Sequence, residues 1–479
     1  NYIWGTRSGP LPDAQSFDKR QPSVIYFWYR QSPRYLEAFN GSFITQTDPP
    51  LDVSNMAGVR LDTKGRLIRF SAVPPQIEED GESDVQPAAP DWSVLFAEAG
   101  LDPANFTTTA STWVPPVAYD TRAAWEGVYP DAPDVPIRVE AASFRGRPVY
   151  FHIIPPWEKP LRQEELVTTP TRRAAGVLLA ITFFAGLLSA VWLARRNLRL
   201  GRGDRKGAYK LAIFIFILAM VGSLLRFDHV PTLGGEVNVW YEATAWALFL
   251  SAFIWTLYVA LEPYVRRRWP NLIISWSRLL SGEYRDPMIG RDIMVGALLG
   301  FGHTLAIYML YVLPQFIGKP SPPNPGGNIY TFGMQNLAGT FLASSLIMSF
   351  ILGFGLLFLL LLFYVLLRRE WMAALALWLI LASIGTLAFV ASGPLIGWIS
   401  TITIATLYTI GAARFGLLTM ISTQLFFDLT FHFPITPDLS SWYGGTTIFS
   451  LAIMIPLLAY AFYISLGGQP LFRPGVLSD

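Results

Sequence analysis

Beyond Pro170 the sequence alternates long apolar runs with short breaks, and no other feature limits the possible folds as strongly. In hydrocarbon every backbone N–H and C=O must find its partner inside the protein, so an apolar run of about 20 residues is committed to a helix. Runs of that kind cover 174–193, 208–225, 240–261, 293–316, 337–367, 372–391, 395–413 and 446–465. A ninth, 415–431, is weaker because it carries Gln424 and Asp428. It is expected either to span or to lie at the interface as an amphipathic helix. The run 337–367 is longer than a hydrocarbon core of about 30 Å requires, so it is expected to tilt, break or protrude. Gly353 and Gly355 are the expected kink or close-packing points.

Charge placement sets the expected orientation. The net charge is only +2 and charged residues make up 15% of the chain, yet the bases are concentrated between particular runs. Arg195, Arg196, Arg199, Arg202, Arg205 and Lys206 follow the first run, and Arg266, Arg267, Arg268, Arg278, Arg285 and Arg291 follow the third. Arg368 and Arg369 follow the fifth, and Arg414 the seventh. The segment 230–239 has no Lys or Arg, and 318–336 has only Lys319. The positive-inside rule then makes 194–207 and 262–292 cytoplasmic loops, puts residues 1–170 outside, and returns the C-terminal tail to the cytoplasm. An external domain with no signal of its own is expected to follow a span preceding Asn1. The basic stretch 193–207 lacks interleaved aromatics and sits between two spans, so it is read as an orientation signal meeting anionic lipid, with no nucleic-acid partner.

The expected fold class is an α-helical polytopic membrane bundle of about nine transmembrane helices, residues 171–479, with an N-terminal extracytoplasmic α+β domain, residues 1–170. In that domain 23–29 has strand composition. Residues 58–71 predict a hairpin turning at Thr63-Lys64-Gly65, and 137–142 with 147–154 a second one around Arg145-Gly146. Residues 91–99 predict a short helix capped by Asp91 and ended by Gly100. The acidic stretch 74–90 reads as a mobile loop, and the Pro/Gly-rich 319–327 as a stiff external connection.

With no cysteine in the chain, thiolate metal sites, iron–sulfur clusters and thiol nucleophiles are excluded. His303, inside the fourth run, is the expected functional histidine, since an ionisable residue within a span is a candidate by default. Its imidazole would suit a haem iron or a chlorophyll magnesium, with Gly300 and Gly302 leaving room for a flat ring; the competing reading is a histidine bonded to a neighbouring helix. Arg226, Asp228, His229 and Glu242 form a candidate external ionic cluster, for ligand binding or as a plain ion pair. Asp428 would meet Arg414 only if the backbone bends between them. The tryptophan-bearing segment 269–280 is expected to lie on the inner leaflet.

Several long phrases taken together are familiar: "VIYFWYRQSPRYL" (24–36), "LFAEAGLDPANF" (95–106), "RAAWEGVYPDAPDVPIRVEAASFRGRPVYF" (122–151), "RRNLRLGRGDRKGA" (195–208), "LEPYVRRRWPNLIISWSRLLSGEYRDPMIGRDI" (261–293) and "FYISLGGQPLF" (462–472). In this order they resemble the C-terminal region of acidobacterial-type serine/threonine protein kinases with multi-pass membrane tails. The resemblance implies a kinase domain upstream and a bacterial inner-membrane location. The chain itself has no Gly-rich nucleotide loop, His-Arg-Asp loop or Asp-Phe-Gly, so no catalytic residue carries over. The expected function is a non-catalytic sensory or docking module in contact with lipid and other membrane proteins. The alternative is an accessory or scaffolding subunit of a respiratory or photosynthetic complex, touching chlorophyll, carotenoid or haem. A transporter is less supported, since the two halves show no matched interrupted helices.

Overall fold

The computed structural model describes residues 21–23, 26–39, 43–77, 89–160, 162, 170–316, 334–389, 394–433, 435–441 and 443–469. The connection 319–327, most of 74–90 and the tail 470–479 lie outside the described residues. The chain divides into two compact units, Asn1–Glu165 with Asp228–Val239, and Leu166–Phe227 with Trp240–Asp479.

The first unit is built on seven strands: β1 Tyr26–Gln31, β2 Ala57–Asp62, β3 Leu67–Ala72, β4 Thr107–Thr109, β5 Thr121–Tyr129, β6 Ala132–Phe144 and β7 Arg147–Ile154. They form one sheet in the order β1-β2-β3-β7-β6-β5-β4, with every neighbouring pair antiparallel. Both expected hairpins are present. Arg145 (φ 54°) and Gly146 (φ 74°) take the two left-handed positions that a two-residue turn needs to match strand twist. At the β2–β3 turn the Asp62 carboxylate accepts the backbone N–H groups of Lys64 at 2.8 Å and Arg66 at 2.9 Å.

The short helix α1, Ser93–Glu98, starts after Trp92 rather than at Asp91. The Asp91 side chain is spent one step earlier, accepting from the Ser93 N–H at 2.9 Å and hydroxyl at 2.6 Å. Phe96 of α1 is fully buried and meets the rings of Phe106, Trp125 and Phe151 edge-on at 5.4, 5.1 and 5.8 Å. This aromatic knot seats α1 in the main apolar core of the unit.

The second unit is helical throughout: α2 Pro170–Arg199, α3 Arg205–Arg226, α4 Leu233–Arg268, α5 Ile274–Ser281, α6 Pro287–Phe316, α7 Met334–Thr340, α8 Ile347–Leu367, α9 Glu370–Phe389, α10 Pro394–Ile410, α11 Leu417–Phe431 and α12 Gly444–Ser465. A π-helical segment, Phe341–Leu346, joins α7 to α8, and a second, Gly411–Phe415, follows α10. Among the described residues, six helices are long and apolar enough to cross a membrane: Gly176–Arg199, Arg205–Arg226, Leu233–Arg268, Pro287–Leu313, Asn336–Leu367 and Gly444–Ser465. That is fewer than the nine runs read from the sequence. Helix α10 has 17 residues and α11 has 15, and Gly416 (φ 92°) breaks the backbone between them.

Three local expectations are corrected by packing. First, α11 does not lie at an interface: every residue from Leu417 to Leu429 is buried, Gln424 and Asp428 included. Second, the segment 269–280 does not spread over lipid. Trp276 is 3% exposed and meets Phe350 and Phe354 edge-on at 5.9 and 5.6 Å, so its apolar face fills the protein core instead. Third, the irregularity in the long run falls at Phe341–Leu346, not at its glycines. Gly353 is a close-packing point, where a Cβ would stand 2.6 Å from Ile421.

Pro263 lies inside α4 and removes a helical donor. Its consequence is repaired from α2: the amide of buried Asn197 donates to the carbonyls of Val259 at 2.9 Å and Ala260 at 3.3 Å. The carbonyl that Pro263 leaves without a helical partner is thereby satisfied.

Candidate functional site

Small residues on α6 bring three helices close enough to share polar side chains. A Cβ at Gly296 would stand 2.8 Å from the Thr419 carbonyl oxygen, and one at Gly300 2.6 Å from that of Thr423. Helix α11 therefore lies directly on this face of α6, as glycine-lined interfaces allow in membranes. Helix α10 packs on α6 as well, and α8 on α11.

In this contact region a line of hydrogen bonds runs through three helices. His303 Nδ1 on α6 is 3.0 Å from the Tyr408 hydroxyl on α10. The Tyr408 hydroxyl donates to Gln424 Oε1 at 2.5 Å, and Gln424 Nε2 donates to Asp428 Oδ1 at 2.8 Å. From the far side His432 Nδ1 reaches the same oxygen at 3.0 Å. His303, Tyr408, Gln424 and Asp428 are all buried, whereas the His432 side chain is 44% exposed. The line thus has one closed end and one open end.

Its polarity follows from counting protons. A tyrosine hydroxyl has one proton, and here it goes to Gln424. His303 must then carry its proton on Nδ1 and donate it to the tyrosine oxygen. Every donor points toward Asp428, which acts only as acceptor. A second pair, Thr304 and Thr430, ties α6 to α11 at 2.6 Å between hydroxyl oxygens.

The expected ligand room beside His303 is filled. Phe427 stacks on one face of the imidazole with ring centres 3.7 Å apart. The space above Gly300 holds Thr423 and Phe426, and that above Gly302 holds Leu407. These surroundings do not fit a haem or chlorophyll ring. Among the described residues, no group of three His, Asp or Glu side chains is placed to hold a metal ion. Asp428 meets His432 and Gln424 rather than Arg414, even though the backbone does bend between the two.

The four residues of the candidate ionic cluster are divided between the units. Asp228 and His229 belong to the first, Arg226 and Glu242 to the second. The Asp228 carboxylate accepts the Ile44 N–H at 2.7 Å, and His229 Nδ1 lies 3.0 Å from Glu236 Oε1. Arg226 donates to the Ser344 hydroxyl at 3.0 Å, within the π-helical segment, while Glu242 is half-buried on α4.

Sequence reasoning picked out His303 but missed Tyr408; it registered Gln424 only as weakening a span, and weighed Asp428 beyond that only as a partner for Arg414. A usable signal was present: Gln424, Asp428 and His432 recur every four residues, so they share one helix face.

Comparison with known proteins adds no relative: no family model, curated protein or solved structure matches the chain.

Proposed function

We propose that the chain is a non-catalytic membrane sensory module whose two-state element is the polar line ending at Asp428. In this reading the sheet unit lies outside, nine helices cross the membrane with α9, α10 and α11 completing the count, and the basic loops face the cytoplasm. The kinship to membrane serine/threonine kinase tails belongs to the same proposal.

The observation that carries it is the directed line His303–Tyr408–Gln424–Asp428–His432 buried between α6, α10 and α11. Buried polar networks in a low-dielectric interior are costly when broken, and they have a small number of satisfied arrangements. Adding or removing one proton at Asp428 changes which arrangement is satisfied. The titratable groups facing that carboxylate are His432 just past the end of its own helix, Tyr408 on α10 and, through Tyr408, His303 on α6. Two π-helical segments beside these helices supply backbone that is already irregular.

The alternative, an accessory subunit of a larger membrane complex, draws support from α2. Most of its apolar stretch is not buried in the protein, and Phe184, Leu188 and Trp192 are open to lipid or to another protein. Isolation from native membranes in mild detergent, followed by mass spectrometry, separates the two. The sensory reading expects kinase-class or other signalling peptides, joined to the chain or bound to it. Stoichiometric redox or pigment-binding subunits in their place overturn it in favour of the accessory reading.

A further inference from the structure

At its basic end, α2 lies beside α4 with a groove of about 420 Å³ between them. Val191, Ala194 and Leu198 line it from α2, and Trp255 and Thr256 from α4. Arg195 and Arg199 complete the lining. The spacing of these two arginines places them one helical turn apart on the same face of α2, with about 5–6 Å between neighbouring Cβ positions.

Their charges are open. Arg195 and Arg199 are exposed and form no ion pair with any described residue. Their neighbours behave differently: Arg196 sits over the Trp192 ring at 5.6 Å, and Arg205 donates to the Leu198 carbonyl at 3.0 Å. The Trp255 indole N–H is itself buried and has no hydrogen-bond partner among the described residues. An apolar trough with two unpaired guanidiniums at its rim describes one kind of occupant.

We propose that this groove is a binding site for an anionic phospholipid, with an acyl chain against Val191, Ala194 and Leu198 and the phosphodiester held by Arg195 and Arg199. Guanidinium groups match phosphate geometry with paired N–H donors, and basic pockets between membrane helices are suited to anionic headgroups. The apolar wall separates this occupant from free phosphate, which gains nothing from Val191 or Leu198. The site is independent of the polar line at Asp428.

The test uses the full chain, purified in detergent and stripped of lipid, with native mass spectrometry of retained lipid. Phosphatidylglycerol and phosphatidylcholine with identical acyl chains are titrated separately, and inorganic phosphate is added as a competitor. The expected result is at least tenfold stronger retention of phosphatidylglycerol, falling to the phosphatidylcholine level in the double variant R195Q/R199Q. Both side chains are exposed, so the variant is expected to fold. R267Q, which removes an exposed charge outside the groove lining, is expected to keep the preference. Equal retention of the two lipids, an unaffected double variant, or displacement of phosphatidylglycerol by millimolar phosphate each overturns the proposal. A loss in R267Q as large as in R195Q/R199Q also overturns it, because the preference would then follow overall charge.

Discussion

The Tyr408 hydroxyl donates to Gln424 Oε1 at 2.5 Å while His303 Nδ1 approaches the tyrosine oxygen at 3.0 Å, so one phenol satisfies two other helices. Tyr408→Phe removes both bonds at once and strands a buried imidazole N–H and a buried amide oxygen. An unsatisfied buried group costs about 1–3 kcal/mol. The variant should therefore lose at least that amount in unfolding measured in nanodiscs. A loss indistinguishable from zero means the line is not formed.

Close approach of α6 and α11 gives a second expectation. A methyl group at residue 300 meets the Thr423 carbonyl oxygen at 2.6 Å, and backbone cannot yield as a flexible side chain would. Gly300→Ala should push the helices apart, cost about 1–3 kcal/mol and weaken the Thr304–Thr430 contact. Gly355→Ala is the matched control, since nothing lies within 4 Å of its Cβ position. Comparable losses in the two variants would contradict the packing.

In α4 the helix survives Pro263 because Asn197 serves the freed carbonyl of Val259. Asn197→Leu keeps the volume and removes the donor. Hydrogen exchange of the α4 segment around 259–266 should rise, with a stability loss of about 1–3 kcal/mol. Unchanged protection there would show that the Pro263 defect needs no repair.

Acid sensitivity is expected in the sheet unit. His152 on β7 is 2% exposed, and burial pulls its imidazole below the ordinary value of 6.5, outweighing Glu158, whose oxygen lies 3.1 Å from Nε2. The unfolded chain then takes up a proton that the folded chain resists, so stability is full above about pH 6.5 and declines as pH falls through the lowered folded value. Glu158 is also held low: burial raises its carboxyl, but His152, Arg60 and Arg69 outweigh that, so the decline continues into the carboxylate range. Hydrogen exchange of the peptide 147–154 should quicken on acidification, with a slope of at most about 1.4 kcal/mol per pH unit for each group. His152→Gln should flatten the upper part of that slope. An unchanged slope in the variant would assign the sensitivity elsewhere.

Much of the architecture is legible in the sequence because the signals are local. The hairpins at Gly65 and Gly146 follow from turn chemistry, and the six long helices from the length of their apolar runs. What is not legible depends on neighbours distant in sequence. Trp276 looks like an interfacial anchor until Phe350 and Phe354 surround it. Gly300 and Gly302 look like room for a ring until Thr423, Phe426 and Leu407 occupy the space. Tyr408 carries no local mark at all, since its role comes from His303, 105 residues away. The four-residue recurrence of Gln424, Asp428 and His432 was readable, but as one face of a helix it does not say what the face meets.

The central claim, that protonation at Asp428 sets how α6 and α10 pack, is open to direct measurement. The chain has no cysteine, so spin labels introduced at exposed Leu305 and Ile402 report one distance without background. That distance is followed in nanodiscs across a pH titration, alongside the infrared carbonyl band that D428N removes. Two distance populations are expected whose ratio changes in step with the Asp428 band, with a single population in D428N at every pH. One unchanging population in the wild-type chain, while that band titrates, would contradict it.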